Sequence, residues 1–462
     1  KNVGTGRAVA ISGVTLTGAA ASNYVVNSYS TRTTANVTQL ASATWVGGSS
    51  GEWYNPANWA PTTSLSSTGA VPDLSNVATV VLPANTTVSF NPANASGTAV
   101  AQPVTVSAIQ GGGALTMANG ALTVSGNASL GGYQQTGGSL NVGGAMNVAT
   151  RTGVSQTAGQ LTVAGALDWK ADTTQNQDAS LMGVNNWNGL TSFTGVNSGS
   201  WRNITFVADG SVNLGNVVAT GKLDGTAGSS LNLNGTINVA SLDLTATAGN
   251  ITQGTNGTLT VTNGPSNLVA GGDITLDKAN DFNGTVNASG VNVIINDINS
   301  LTLGDVTATG NLDATAATNL NLDGTISVAS LDLTATSGNI TQGANGTLTV
   351  TEGPTNLVAG GDITLNQAND FNGTVNADGV NVTLNDVNDL TLGDVTASGT
   401  LDVTAGTDLT INGTVTATDT TLTAGNDIVI NGDVTSDTLV AEAGGDITQG
   451  ANSTLTIADS LE

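Results

Sequence analysis

An 89-residue repeat constrains this chain more than any other feature. Residues 241–254 read SLDLTATAGNITQG and residues 330–343 read SLDLTATSGNITQG. The same offset carries NLVAGGDITL from Asn267 to Asn356, and LN/LT-x-x-G-T phrases open at Leu231, Leu320 and Leu409. Residues 301–389 divide where Asn or Asp precedes a short β-type phrase, into lengths of 19, 20, 23 and 27, which predicts about four coils per repeat. Beyond them, phrases open at Leu390, Leu409 and Ile428, 19 residues apart.

Each phrase alternates Leu, Val or Ile with Thr, Asn or Asp over four to six residues and is bounded by Gly, Asn and Asp. That is the pattern of half-buried strands between turns, and no stretch shows a helical period. A unit of about 20 residues cannot bury its own apolar face, so it must stack on copies of itself. Stacking at roughly 4.8 Å per coil gives a β-solenoid, with Leu, Val, Ile and Ala rows inside and Thr, Asn and Asp rows outside. Coiling from residue 104 onward would give about 18 coils and a length on the order of 85 Å. Disorder is the rival for a Gly-rich chain with 3% aromatics, but disorder does not require apolar residues to alternate in phase across copies.

The 462 residues include no Cys, no His, eight Lys plus Arg and 33 Asp plus Glu, for a formal charge of −25. Nucleic acid and anionic lipid call for clustered cations, and Lys278 is the sole basic residue past Leu223. Charged residues are only 9%, so the exterior is expected to be neutral and hydrogen-bonding, as in secreted fibrous proteins. Absence of Cys fits an extracellular setting. No apolar run approaches the roughly 18 residues that span a bilayer, so membrane insertion is not expected. Both ends fall mid-phrase, and the chain is expected to be a piece of a longer protein.

Within residues 1–40, Val9, Ile11, Val14 and Leu16 alternate with small residues, which suggests a small β-sandwich-like fragment. Residues 41–103 hold ATWVGGSSGEWYNPANWAP and read as a Trp-rich junction or cap. Residues 104–211 read as Gly-rich coils, with QTGGSLNV at Gln135 and QTAGQLTV at Gln156, 21 residues on. An aromatic excursion breaks their rhythm near 170–210, and residues 212–462 are the long-repeat solenoid. Flat rings stack on sugar faces, which makes Trp53, Trp59, Trp187 and Trp201 candidate ligand-binding residues. The alternative is that these rings fill the interior of a cap and of a widened coil.

With neither His nor Cys, Ser-His-Asp and Cys-His catalysis and the common zinc sites are excluded. A polysaccharide hydrolase needs only carboxylates, and Asp386 with Asp389, or Asp362 with Asp370, would be the pairs. Asp273 and Asp281 repeat the second pair at the 89-residue offset, whereas an active site is normally built once, so no enzyme is expected. Stacked Asp rows raise calcium as a cofactor, but the calcium-solenoid phrase GGxGxDxUx is missing and Asp and Asn are ordinary turn residues. N-x-S/T sequons, such as those at Asn283 and Asn372, follow from composition.

KNVGTG at Lys1 and GVTLTGAAASNY ending at Tyr24 resemble the second half of the Ig-like YDG or MBG-type modules of bacterial surface proteins. From about residue 104, AGGDITL at Ala270 and Ala359, AGNDIVI at Ala424, SGNITQG at Ser337 and QTGGSLNV at Gln135 resemble the filamentous haemagglutinin type of two-partner-secretion exoprotein. That resemblance implies a right-handed parallel β-helix, export through an outer-membrane secretion partner, an extracellular or outer-surface location, and a role in adhesion, cell–cell adhesion or biofilm. These residues do not include the secretion domain expected at that family's N-terminus. The expected partners are a surface glycan or protein of host or bacterium, or a matrix polysaccharide; a self-associating structural filament with no receptor is the alternative. The expected fold is all-β, a right-handed parallel β-helix (β-solenoid) preceded by the small β-sandwich-like fragment.

Overall fold

The computed structural model describes residues 3–27, 30–61, 69–94, 102–172 and 176–462. Lys1 and Asn2 of the KNVGTG phrase, parts of the Trp-rich stretch and residues 173–175 lie outside them. The chain is nearly all β and forms a parallel β-solenoid of about 18 turns. It falls into two compact units, Lys1–Leu167 and Asp168–Glu462.

In the first unit, Gly4–Ser12 and Ser30–Val37 form an antiparallel pair with Val9 opposite Thr33. Val9, Ile11, Val14 and Leu16 are exposed, so this is one two-stranded sheet, and no second sheet covers it among the described residues. Parallel stacking then starts earlier than residue 104. Leu40–Trp45 pairs in parallel with Val77–Leu82, which pairs with Ala108–Gly111. Coils of three short strands follow, such as Ala114–Met117, Ala121–Val124 and Ala128–Leu130. The next coil places Tyr133 on Leu115 and Leu140 on Leu122. Gln135 and Gln156 stack as the 21-residue offset requires, and Gln156 Nε2 donates to Gln135 Oε1 at 2.9 Å.

In the second unit the described residues of the 170–210 stretch belong to the ladder. Asn176–Leu181 pairs with Ser200–Ala208, which pairs with Lys222–Ala227. From there each turn holds two segments. A longer one is bulged or broken, as in Leu231–Leu233 with Thr236–Val239, and a shorter one is straight, as in Ser241–Ala246. Alternate residues point inward, and the inward Leu, Val and Ile are 0–1% exposed along most of these strands. Each such side chain contributes roughly 1.5–3 kcal/mol by leaving water, which offsets the cost of ordering its short strand.

Asn and Asp before the strands work between turns rather than within them. Asn250 Oδ1 accepts the backbone N–H of Asp273, Asp273 Oδ1 that of Asn292, and Asn292 Oδ1 that of Asn311, at 2.9–3.1 Å. Each side chain thus satisfies a corner amide of the following turn, where no strand partner is available.

The repeat holds four and a half turns, not four. Thr285–Gly290 and Val293–Asp297 are two short segments in succession, and so are Thr374–Gly379 and Val382–Asp386. The 27-residue stretch 363–389 therefore makes one and a half turns. One column of stacked residues runs Leu231, Ile251, Ile274, Val293, Leu312, Leu331. The other runs Leu242, Ser266, Val286, Leu303, Leu322, Gln342. Leu242 and its repeat counterpart Leu331 thus stand in different columns. The two columns are the two sides of the coil, so residues 89 apart face opposite ways.

Candidate functional site

All four candidate tryptophans are inside. Trp53 and Trp59 are 0% and 2% exposed, and Trp187 and Trp201 1% and 0%. Trp53 packs edge-on against Trp59 at 5.0 Å and against Phe90 at 5.5 Å, and Trp59 Nε1 donates to the Trp53 carbonyl at 2.7 Å. Trp187 lies 5.6 Å from Phe206, and Trp201 lies edge-on to Phe193 at 6.3 Å. Buried rings gain more by packing on one another than they would by waiting at a surface, and none of the four offers a face for a sugar to stack on. The described residues of the stretch near 170–210 form a widened coil filled with aromatics.

Of the carboxylates considered for hydrolysis, Asp362, Asp386 and Asp389 hold backbone amides and Asp370 holds the Asn372 side chain. Asp362 Oδ1 accepts both the N–H and the side-chain amide of Asn381, at 3.1 and 2.8 Å. Asp386 is 1% exposed and accepts the N–H groups of Phe371 and Asn388, each at 2.7 Å. Asp297 does the same for Phe282 and Asn299, at 2.8 and 2.6 Å. Burial pushes both carboxyls above their ordinary range despite these bonds. Among the described residues, no group of three or more carboxylates is disposed to hold a metal ion.

Asp297 and Asp386 explain how the repeat takes its extra half turn. Phe282 stacks on Val261 as part of a long segment, and the next strand reaches only to Asp297, which sits over Asn280. No backbone carbonyl is left above the Phe282 amide, and the Asp297 carboxylate takes that place. Below it, Gln253 and Asn280 exchange amide hydrogen bonds of 2.6 and 3.2 Å and fill the interior where the long segment breaks. Gln342 and Asn369 repeat that exchange at 2.6 and 3.1 Å.

The missing segment leaves surface hollows. One recess, about 570 Å³, is lined by residues from Phe282 to Thr285, by Asn299, Ser300 and Thr302, and by Asp323. A second, about 410 Å³, lies beside Lys278, Asn296, Asp297 and Ile298. Asp281 fixes the rim of the larger one, since Asn283 and Asn299 both donate their side-chain amides to its Oδ1, at 3.0 and 3.1 Å. Asn372 donates to Asp370 in the same way 89 residues on, at 3.1 Å. Sequence reasoning missed these recesses, although DFNGTV at Asp281 and Asp370 carries the sole aromatics past Phe206 and was a usable signal.

Elsewhere the acids lie along the outer rows. Lys222 bridges Asp224, at 3.2 Å, and Asp243, one turn apart, and the Asp243 contact holds its ammonium above the usual range. One repeat later Asn311 stands in place of Lys222 and donates to Asp332 at 3.1 Å. Burial, then the Asp332 charge, raises Asp313 there.

Residues 225–289, 290–330, 317–378 and 379–434 match a family model described as Repeats of unknown function (DUF5649). Two of these matches begin at Gly290 and Gly379, 89 residues apart, each at the junction between successive short segments. Neither a curated protein nor a solved structure matches the chain. The stretch 225–434 is therefore similar to a family of repeats folded here as a parallel β-solenoid.

Proposed function

We propose that this chain is part of a secreted or surface-attached bacterial adhesive protein, in which the solenoid is a stalk that serves attachment, cell–cell adhesion or biofilm formation. The observation that carries this reading is the use of the polar residues. Asp362 and Asp386, with their counterparts Asp273 and Asp297 one repeat earlier, are bonded to backbone N–H groups of the neighbouring turn, as are Asn250 and Asn339. Nothing in that pattern favours a single reactive centre, and everything in it favours a stiff, hydrated support. Thr, Asn and Asp rows keep such a support in solution while the apolar rows hold it rigid.

The resemblance to filamentous haemagglutinin-type exoproteins supports the same reading and suggests export through an outer-membrane partner. The test is attachment: beads coated with the whole chain are presented to bacterial and epithelial cells and to immobilised matrix polysaccharide. Retention above uncoated beads on any of these is the expected result. Absence of retention on all of them, with concentration-dependent sedimentation of the free chain, would replace adhesion by a self-assembling filament.

A further inference from the structure

The geometry points to two saccharide-binding recesses on opposite sides of the solenoid, one at each half-turn step, so that a single chain cross-links neutral glycans. This rests on the adhesive reading and names its ligand and its site. The first recess, about 570 Å³, is in the size range of small-ligand sites and far larger than one ion requires. Its walls offer both donors and acceptors. Asn283 and Asn299 each give one amide hydrogen to Asp281, which leaves each a second amide hydrogen and its carbonyl oxygen for a ligand beside the Asp323 carboxylate and the Ser300 and Thr302 hydroxyls, which are themselves bonded to Thr318 and Asn321. A hollow that offers amide donors, carbonyl and hydroxyl acceptors and a carboxylate, with no Lys or Arg in its lining, selects a ligand whose groups both donate and accept and that carries no negative charge, which describes a neutral oligosaccharide.

The second step repeats the frame. Asp386 holds the Phe371 and Asn388 amides, Asn372 is tied to Asp370, and Thr374 stacks on Thr391 as Thr285 does on Thr302. Asp389 and Asn412 stand where the first recess has Ser300 and Asp323. Four and a half turns separate the two, on the order of 22 Å along the coil. The odd half turn moves the second recess to the other side.

The test uses the full chain on an array of neutral and acidic glycans, then calorimetry with the strongest neutral oligosaccharide, with calcium and with chelator. We expect two sites per chain, one in Asn283→Ala/Asn299→Ala, one in Asn372→Ala/Asn388→Ala, and none in the quadruple variant. Clumping of glycan-coated beads should be lost in either double variant, while binding to a single bead surface persists. All four side chains are exposed, and unchanged circular dichroism will establish that the variants fold. An array without neutral hits, a stoichiometry untouched by the substitutions, or uptake of calcium alone would overturn the proposal. Cell attachment that survives in the quadruple variant would remove these sites and leave the adhesive stalk standing.

Discussion

Asp386 and Asp389 are three residues apart and are pushed in opposite directions. Burial raises the first, whereas a hydrogen bond from Thr407, then one from the Asp408 N–H, lowers the second. Carboxyl titration followed by NMR should show Asp386 taking up its proton first as pH falls. The linkage signs differ accordingly. A raised carboxyl favours the native state below the ordinary carboxylate range, and that contribution is lost as pH rises through the elevated value. The lowered Asp389 contributes above the ordinary range and loses its contribution as pH falls through the depressed value. Amide exchange at Phe371, corrected for its intrinsic pH dependence, should therefore speed up as pH rises from the ordinary carboxylate range through the elevated value of Asp386. Asp386→Asn turns one acceptor into a donor aimed at a backbone N–H, which leaves that N–H unpaired at a cost of about 1–3 kcal/mol. Exchange at Phe371 or Asn388 should rise roughly 5- to 150-fold, with Asp297→Asn doing the same at Phe282 or Asn299 and little coupling between the two sites. None of this was legible in the sequence, since the ND that opens a turn elsewhere has the same letters as the ND whose carboxylate replaces a strand.

At the level of one turn, stacking was legible and phase was not. Alternation of Leu with Thr or Asn fixes which residues point inward, and that is why rows such as Leu301 on Leu320 on Ile340 follow the sequence spacing. Counting turns needs the number of segments, and the phrase at Val382 carries the same alternation as any other. Close approach at the corners is a second condition that spacing alone does not announce. A Cβ on Gly413 would lie 2.3 Å from the Gly393 carbonyl carbon and 2.6 Å from the Asp394 nitrogen, and one on Gly432 would lie 1.8 Å from the Gly413 oxygen. Gly413→Ala should destabilise its corner by about 1–3 kcal/mol, read as faster proteolysis between Leu409 and Ile430. Leu331→Ala, at 0% exposure between Leu312 and Thr355, should cost more, about 2–5 kcal/mol. Both losses should stay local, because each turn touches only its neighbours. The tryptophans misled for a related reason: a Trp-rich phrase without a period gives no sign of which ring face is covered.

Over the whole molecule, a charge of −25 with eight cations keeps copies apart near neutral pH. Light scattering should rise as the pH approaches the isoelectric point near 4.1, and added salt at pH 7 should weaken the repulsion that holds copies apart. The solenoid class was readable because many weak phrases agree, and no single phrase would have sufficed. The recesses left one mark, the lone Phe of DFNGTV at Phe282 and Phe371, but no letter there announces that a segment is skipped. That skipping also gives the repeat a parity. A gene that gained or lost one 89-residue copy would turn every downstream side chain to the opposite flank, and a second such event would restore the original aspect. Descendants of this chain that differ by an even number of copies would keep their presentation, whereas those that differ by an odd number would present their downstream part half a turn round.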